Sequence, residues 1–206
     1  MARFHARQHL AAPHLLPELS AERYDQPGQS GAHLGPAFGR DLDAAAHVDE
    51  IADRRGSRGL GLALVQSLGD RGAKVATFAR TITPELEALA AAHPDRVHVA
   101  SVDATDSKAL TAFVKEAEAK LGPIDSLVNN AAIGQDSLHI HTSPAKIEQI
   151  VATNLTAPLV LTRTVLRRIL AGPGRGRIVF VTSICAQRGY AGLVAYSSTK
   201  GGLEIG

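Results

Sequence analysis

From Gly56 onward, apolar positions recur at helical spacing in some stretches and form short unbroken runs in others, and the two kinds alternate. Gly59 to Leu68 reads as an apolar-faced helix closed by Gly69 and Gly72. Lys74 to Phe78 is too short for a helix and reads as a buried strand. Pro84 to Ala92 follows as a helix opened by proline in its first turn. Val97 to Val102 is a strand, and Ser107 to Leu121 an amphipathic helix stopped by Gly122-Pro123. Ser126 to Asn129 is a strand, and Pro144 to Leu170 is mostly helical, with a bend expected at Pro158. Arg177 to Thr182 is the last strand, and Tyr196 opens the last helix. Strands separated by single helices predict an α/β fold: a parallel sheet with helices on both faces.

Residues 1–55 are of another kind. They hold five of the nine histidines (His5, His9, His14, His33 and His47), four prolines and no sustained period. This segment is expected to be disordered or loosely attached, with the folded domain running from 56 to 206. Arg3 and Arg7 precede the first acidic residue, Glu18, but Pro13 and Pro17 interrupt the amphipathic helix that a transit peptide requires.

Composition narrows the function classes. With 45% hydrophobic and 20% charged residues the chain is ordinary for a globular protein. A net charge of +2, without a basic run interleaved with aromatics, gives no case for nucleic acid. No apolar stretch approaches the ~18 residues of a membrane span. Cys185 is the only cysteine, which points to a reducing compartment and a cytoplasmic location. His139-Ile-His141 lacks a third ligand, so no metal is expected.

The candidate chemistry begins at Tyr196 and Lys200, four apart and therefore on one helix face. A free phenol ionises near pH ~10, and a nearby ammonium favours the phenolate, which suits a tyrosine to proton transfer. Ser183 precedes this pair and offers a hydroxyl for a substrate carbonyl oxygen. Further upstream, Gly56-Ser57-Arg58-Gly59-Leu60-Gly61 opens the first helix. Glycines let backbone approach a pyrophosphate, and the helix N-terminus supplies N–H groups and a positive dipole end. After the second strand stands Ala79-Arg80, where a carboxylate would select a ribose 2′-hydroxyl and an arginine a 2′-phosphate. Arg58 and Arg80 therefore favour NADP(H) over NAD. Asp103, after the third strand, is placed to reach an adenine or to cap the next helix.

Together these motifs resemble the short-chain dehydrogenase/reductase family, particularly its NADP-dependent 3-oxoacyl-[acyl-carrier-protein] reductases. Gly59 and Gly61 resemble the family's glycine turn, and Asn129-Asn130-Ala131-Ala132 its N-N-A-G. Asn154 matches the asparagine of the long helix, and Ser183, Tyr196 and Lys200 complete a tetrad. The resemblance implies a Rossmann-type doubly wound sheet and NADPH-dependent reduction of a ketone or 3-oxoacyl group to a hydroxyl. It implies Tyr196 as proton donor, Ser183 as partner of the carbonyl oxygen, and Lys200 as a ligand of the nicotinamide ribose. Asn154 is implied to link Lys200 to solvent through water, and Asn130 and Ala131 to line the cofactor. A small carbonyl or alcohol substrate is implied, and a homodimer or homotetramer in the full-length parent. The dimer would use the apolar surface of Leu159, Leu161, Val165, Leu166 and Ile169.

Two departures shape the remaining expectations. Arg54-Arg55 stand where the family has Thr-Gly, and His47 to Asp53 is polar where a central strand is apolar. Asp53-Arg54-Arg55-Gly56 can be encoded so that a shift of one nucleotide reads Thr-Gly-Gly. Residues 1–55 are therefore also expected to be a frameshifted reading, leaving the fold without a normal first strand; separately, the resembling family continues beyond residue 206, so the domain is expected to be truncated at its C-terminus. The alternative to an active reductase is an incomplete or non-catalytic fragment that binds nucleotide weakly or not at all.

Overall fold

Strand β2 (Val75–Ala79) is buried at every position, so both of its faces are covered. In the computed structural model it belongs to a five-stranded parallel sheet of order β3-β2-β1-β4-β5. Its neighbours are β1 (Ala45–Asp49) and β3 (Val97–Ser101), followed outward on the other side by β4 (Ile124–Asn129) and β5 (Arg177–Phe180). The structure describes residues 45–49, 59–134, 136–172 and 176–205, all within one unit, Pro36–Gly206.

The helices fall close to where the hydrophobic period puts them. They are α1 (Leu60–Asp70), α2 (Pro84–Ala92), α3 (Ser107–Leu121), α4 (Pro144–Val151), α5 (Ala157–Ala171) and α6 (Val194–Ile205). Local chemistry sets their starts: the Thr83 hydroxyl accepts from the Leu86 N–H, the Asp106 carboxylate from Lys108 and Ala109, and the Ser143 hydroxyl from Lys146. Gly122 ends α3 at φ +98°, a conformation that side chains with a Cβ avoid.

One core fills the space between the sheet and helices α3 and α5. Phe78, Leu110, Phe113, Val114, Leu127, Leu161 and Val165 are buried there. Phe78 meets the edge of Phe113 with ring centroids 5.0 Å apart. Burying each phenylalanine fully contributes about 1.5–3 kcal/mol. Helix α1 packs on β1 and β2, burying Leu64, Val65 and Leu68.

Two expectations are revised. The sequence offers no convincing strand before Gly56, yet Ala45–Asp49 forms one and pairs on both sides, Val48 with Thr77 of β2 and Val128 of β4. A ladder joins backbone groups, and the facing edges of β2 and β4 carry N–H and C=O rows that a strand between them satisfies. Five residues reading Ala-Ala-His-Val-Asp carry too little apolar pattern to announce that role. The expectation that residues 1–55 are disordered or frameshifted otherwise lies outside the described residues, as do Gly56, Ser57 and Arg58.

The second revision concerns Pro158. Between α4 and α5 the helix widens into a π turn over Ala152–Thr156, where Ala157 donates its N–H to the Ala152 carbonyl. Pro158 has no N–H to return to the Asn154 carbonyl four residues back, so regular α-helical bonding stops there. The expected bend is this π turn, a feature often found at functional sites.

Candidate active site

The chain leaves β1 and β4 in opposite directions across the sheet, and at such a switch point the carboxyl ends of the strands open a crevice. The candidate residues sit at that end. Arg80 follows β2, Asp103 follows β3, Asn130 follows β4 and Ser183 follows β5.

At the phosphate end, Gly59 caps α1. Among the described residues no side chain bonds the helix start, and none in the first turn is acidic. Its N–H groups thus face no competing side-chain acceptor among the described residues, and Gly61 is buried close behind. These features fit a pyrophosphate.

Beside it, Ala79 is buried and Arg80 exposed, with the Ser101 hydroxyl donating to the Arg80 carbonyl at 3.1 Å. The Asp103 carboxylate accepts from the Thr105 N–H at 2.9 Å and from its hydroxyl at 2.7 Å. The Thr105 N–H is the main reason this carboxyl titrates below its usual range, followed by the hydroxyl, with the Arg80 guanidinium adding to it. Capping of α3 falls to Asp106 instead, so Asp103 stays available at the crevice.

The centre is tied together by Asn154, which is fully buried in the π turn. Its Oδ1 accepts from the Ile133 N–H and its Nδ2 donates to the Ile133 carbonyl, both at 2.8 Å. Nδ2 also donates to the Thr199 hydroxyl at 3.3 Å, and that hydroxyl donates to the Tyr196 carbonyl at 2.7 Å. Both amide hydrogens are thus engaged inside the protein, which leaves Asn154 mainly holding backbone in place. Any water beside its side chain would have only the second lone pair of Oδ1. The loop so held contains Asn130, half-buried, and Ala131, buried.

Tyr196 and Lys200 lie one turn apart on α6, with Lys200 Nζ 5.9 Å from the tyrosine ring centroid. Lys200 is 2% exposed and donates to the Val181 carbonyl at 2.6 Å. That bond fastens α6 to the chain just past β5, two residues before Ser183. The Ser183 hydroxyl accepts from the Cys185 N–H at 3.2 Å, starting the short 3-10 turn Ile184–Ala186 and leaving its hydrogen to donate. The structure therefore links Asn154, Tyr196 and Lys200 through α6, with Ser183 on the adjoining segment.

Residues 56–205 match the short chain dehydrogenase family. The chain belongs to that family. Among its dehydrogenase relatives, nodulation protein G of Azospirillum brasilense is 35% identical over 151 residues, covering 70% of this chain and 60% of the relative. Acetoacetyl-CoA reductase of Rhizobium meliloti is 35% identical over 147 residues, covering 71% and 60%. The rat 3-oxoacyl-[acyl-carrier-protein] reductase is 34% identical over 149 residues, covering 72% and 61%. The chain thus spans about three-fifths of the length of these relatives. A metagenomic short-chain oxidoreductase solved in complex with NADP superposes with a TM-score of 0.69 at 32% identity, over 79% of this chain and 72% of that one.

Sequence reasoning did not single out Thr199, Ile133 or Val181. Thr199 had a signal: three residues after Tyr196 and one before Lys200, it belongs on their inward face. Ile133 and Val181 act through backbone atoms, which no residue type announces.

Proposed function

We propose that this dehydrogenase-family chain carries the active-site half of an NADPH-dependent reductase of ketones or 3-oxoacyl groups. The observation carrying this reading is the fastening of α6 to the Val181 carbonyl by Lys200, with Tyr196 one turn away and Ser183 two residues on. When bound, the nicotinamide supplies the hydride. The Tyr196 hydroxyl gives a proton to the oxygen of the reduced carbonyl, and the Ser183 hydroxyl hydrogen-bonds that oxygen as its charge grows. The Lys200 ammonium stabilises the phenolate left behind and serves as a ribose ligand. The start of α1, with Gly56, Ser57, Arg58, Gly59, Leu60 and Gly61, takes the pyrophosphate, Arg80 the 2′-phosphate and Asp103 the adenine edge.

Assembly and location complete the proposal. Of the five apolar residues read on the long helix, Leu161, Val165 and Ile169 are buried in the chain's own core, so they are not interface residues. Leu159, Leu166 and Leu170 stay exposed on α5 and suit a second copy of the protein. No helix among the described residues is long and apolar enough to cross a membrane, and a cytoplasmic setting fits a reductase with one cysteine.

NADPH binding and ketone reduction, measured on one preparation, test the reading. Binding with turnover supports it. Binding without turnover makes the chain a nucleotide-binding relative, and neither would leave the incomplete-fragment alternative.

A further inference from the structure

We infer that Thr199 is a positioning residue, the hydroxyl that holds the Tyr196–Lys200 helix in register with the loop after β4. The inference rests on the reductase reading for its kinetic consequence but not for its structural one. Thr199 is 1% exposed, although threonine has no need of burial among so many apolar alternatives. Its hydroxyl does two things at once. It accepts from Asn154 Nδ2 at 3.3 Å, and it donates to the Tyr196 carbonyl at 2.7 Å in its own helix.

Asn154 in turn grips both backbone polar atoms of Ile133. A continuous hydrogen-bonded line therefore runs from the loop after β4, through the π turn, to the first turn of α6. The π turn brings Asn154 to this meeting point, and Thr199 is the contact on the α6 side. Lys200 Nζ anchors the next residue to Val181, on the segment that bears Ser183. With α6 pinned at Thr199 and Lys200, the backbone bearing Tyr196 is fixed relative to two separate strand ends.

Removing the hydroxyl leaves an Asn154 amide hydrogen buried without its acceptor and lets α6 slide or rotate at that point. Tyr196 and Lys200 keep their chemistry but lose alignment, and a shift of ~1 Å at a reacting group can cost about 10²-fold in rate. Thr199→Val preserves shape and removes only the hydroxyl, while Thr199→Ser keeps the hydroxyl and removes a methyl.

The experiment compares the full chain with Thr199→Val and Thr199→Ser. For Thr199→Val, kcat for ketone reduction should fall by about tenfold or more, with KM for the ketone and Kd for NADPH within about twofold, as expected for an interaction that acts in the transition state. Thr199→Ser should recover most of kcat. Exchange of the Ile133 amide, followed by NMR, should accelerate in Thr199→Val and return to the parent rate in Thr199→Ser. Thr199→Ala removes the same hydroxyl without bulk and carries the same criteria should valine not be accommodated. Parent-like kcat in Thr199→Val, or equal losses in Val and Ser, overturns the inference. A parent without turnover overturns the reductase reading alone. The Ile133 exchange rates then decide on Thr199, and rates unchanged by removal of the hydroxyl overturn the linkage.

Discussion

Asn154 and Ile133 clasp each other through two hydrogen bonds of 2.8 Å, side-chain amide to backbone amide. Twenty-one residues apart in sequence, they join the π turn to the loop after β4 as two strands would be joined.

Asn154→Ala should be costly for that reason. It strands a backbone donor and a backbone acceptor in a buried site, each worth about 1–3 kcal/mol. The melting temperature should fall by roughly 5–15 °C, at about 2–4 °C per kcal/mol for a domain of this size. Calorimetry checks it, and a drop below about 2 °C would show that relaxation or water replaces the clasp.

Tyr196→Phe keeps the ring and removes the transferable proton. Turnover should fall by about 10²–10⁴-fold while NADPH affinity stays nearly constant. Steady-state rates beside equilibrium titration give the answer, and turnover within about tenfold of the parent would remove Tyr196 as the acid.

NADPH should bind at least about tenfold more tightly than NADH, since arginines make 1–3 charge-assisted hydrogen bonds to a phosphate of this kind. Arg80→Ala should bring the two affinities together. Isothermal titration with both cofactors measures the ratio, and equal affinities in the parent would refute the assignment of Arg80.

Acid should weaken the fold through His98. The ring is buried against Phe113 at 5.9 Å between centroids, and the Lys120 ammonium and Glu116 carboxylate of α3 face it. Burial lowers its pKa below the ordinary 6.5, Lys120 adds to this, and Glu116 opposes it. Glu116 lies 3.5 Å from Nε2 but is bound more closely by Lys120, at 2.8 Å, so its pull on the ring is the weaker effect. The unfolded ring takes up a proton at higher pH than the folded one, so stability is full above about 6.5 and declines as pH falls below it. His98→Phe should flatten that limb of the melting profile. An unchanged acid slope in the variant would show that other groups set it.

Charging the outer face of α5 tests assembly. Leu166→Lys with Leu170→Lys leaves the inward Leu161, Val165 and Ile169 untouched, so the fold should persist. Light scattering should show a multimer for the parent and monomers for the double variant. A parent that is monomeric at micromolar concentration would rule out this surface as an interface.

Legibility in the sequence followed the strength of local signals. Helices α2 and α3 begin and end where Pro84, Ala92, Ser107 and Leu121 suggested, because caps and glycine stops are written in residue types. Helix α6 starts at Val194 rather than Tyr196, a two-residue gain without a side-chain signal. Strand β1 escaped because its place is decided by neighbours brought together from β2 and β4. Tyr196, Lys200 and Ser183 stood out in the sequence as candidates for chemistry by residue type and spacing. Asn154 was legible as a candidate, but its grip on Ile133 was not, since that partner is backbone.

The π turn also sets rotational phase. Each π-type hydrogen bond spans one residue more than an α-helical one, so Ala152–Thr156 holds a residue that regular helix would not need there. Were that turn to tighten into α-helix, everything beyond it would rotate by about 100°. Leu161 and Val165 would swing away from the sheet, and exposed leucines would take their place. Residue count is therefore constrained unevenly: a deletion early in α5 rotates the rest of that helix, whereas one within Ala152–Thr156 can be absorbed by closing the π turn into α-helix.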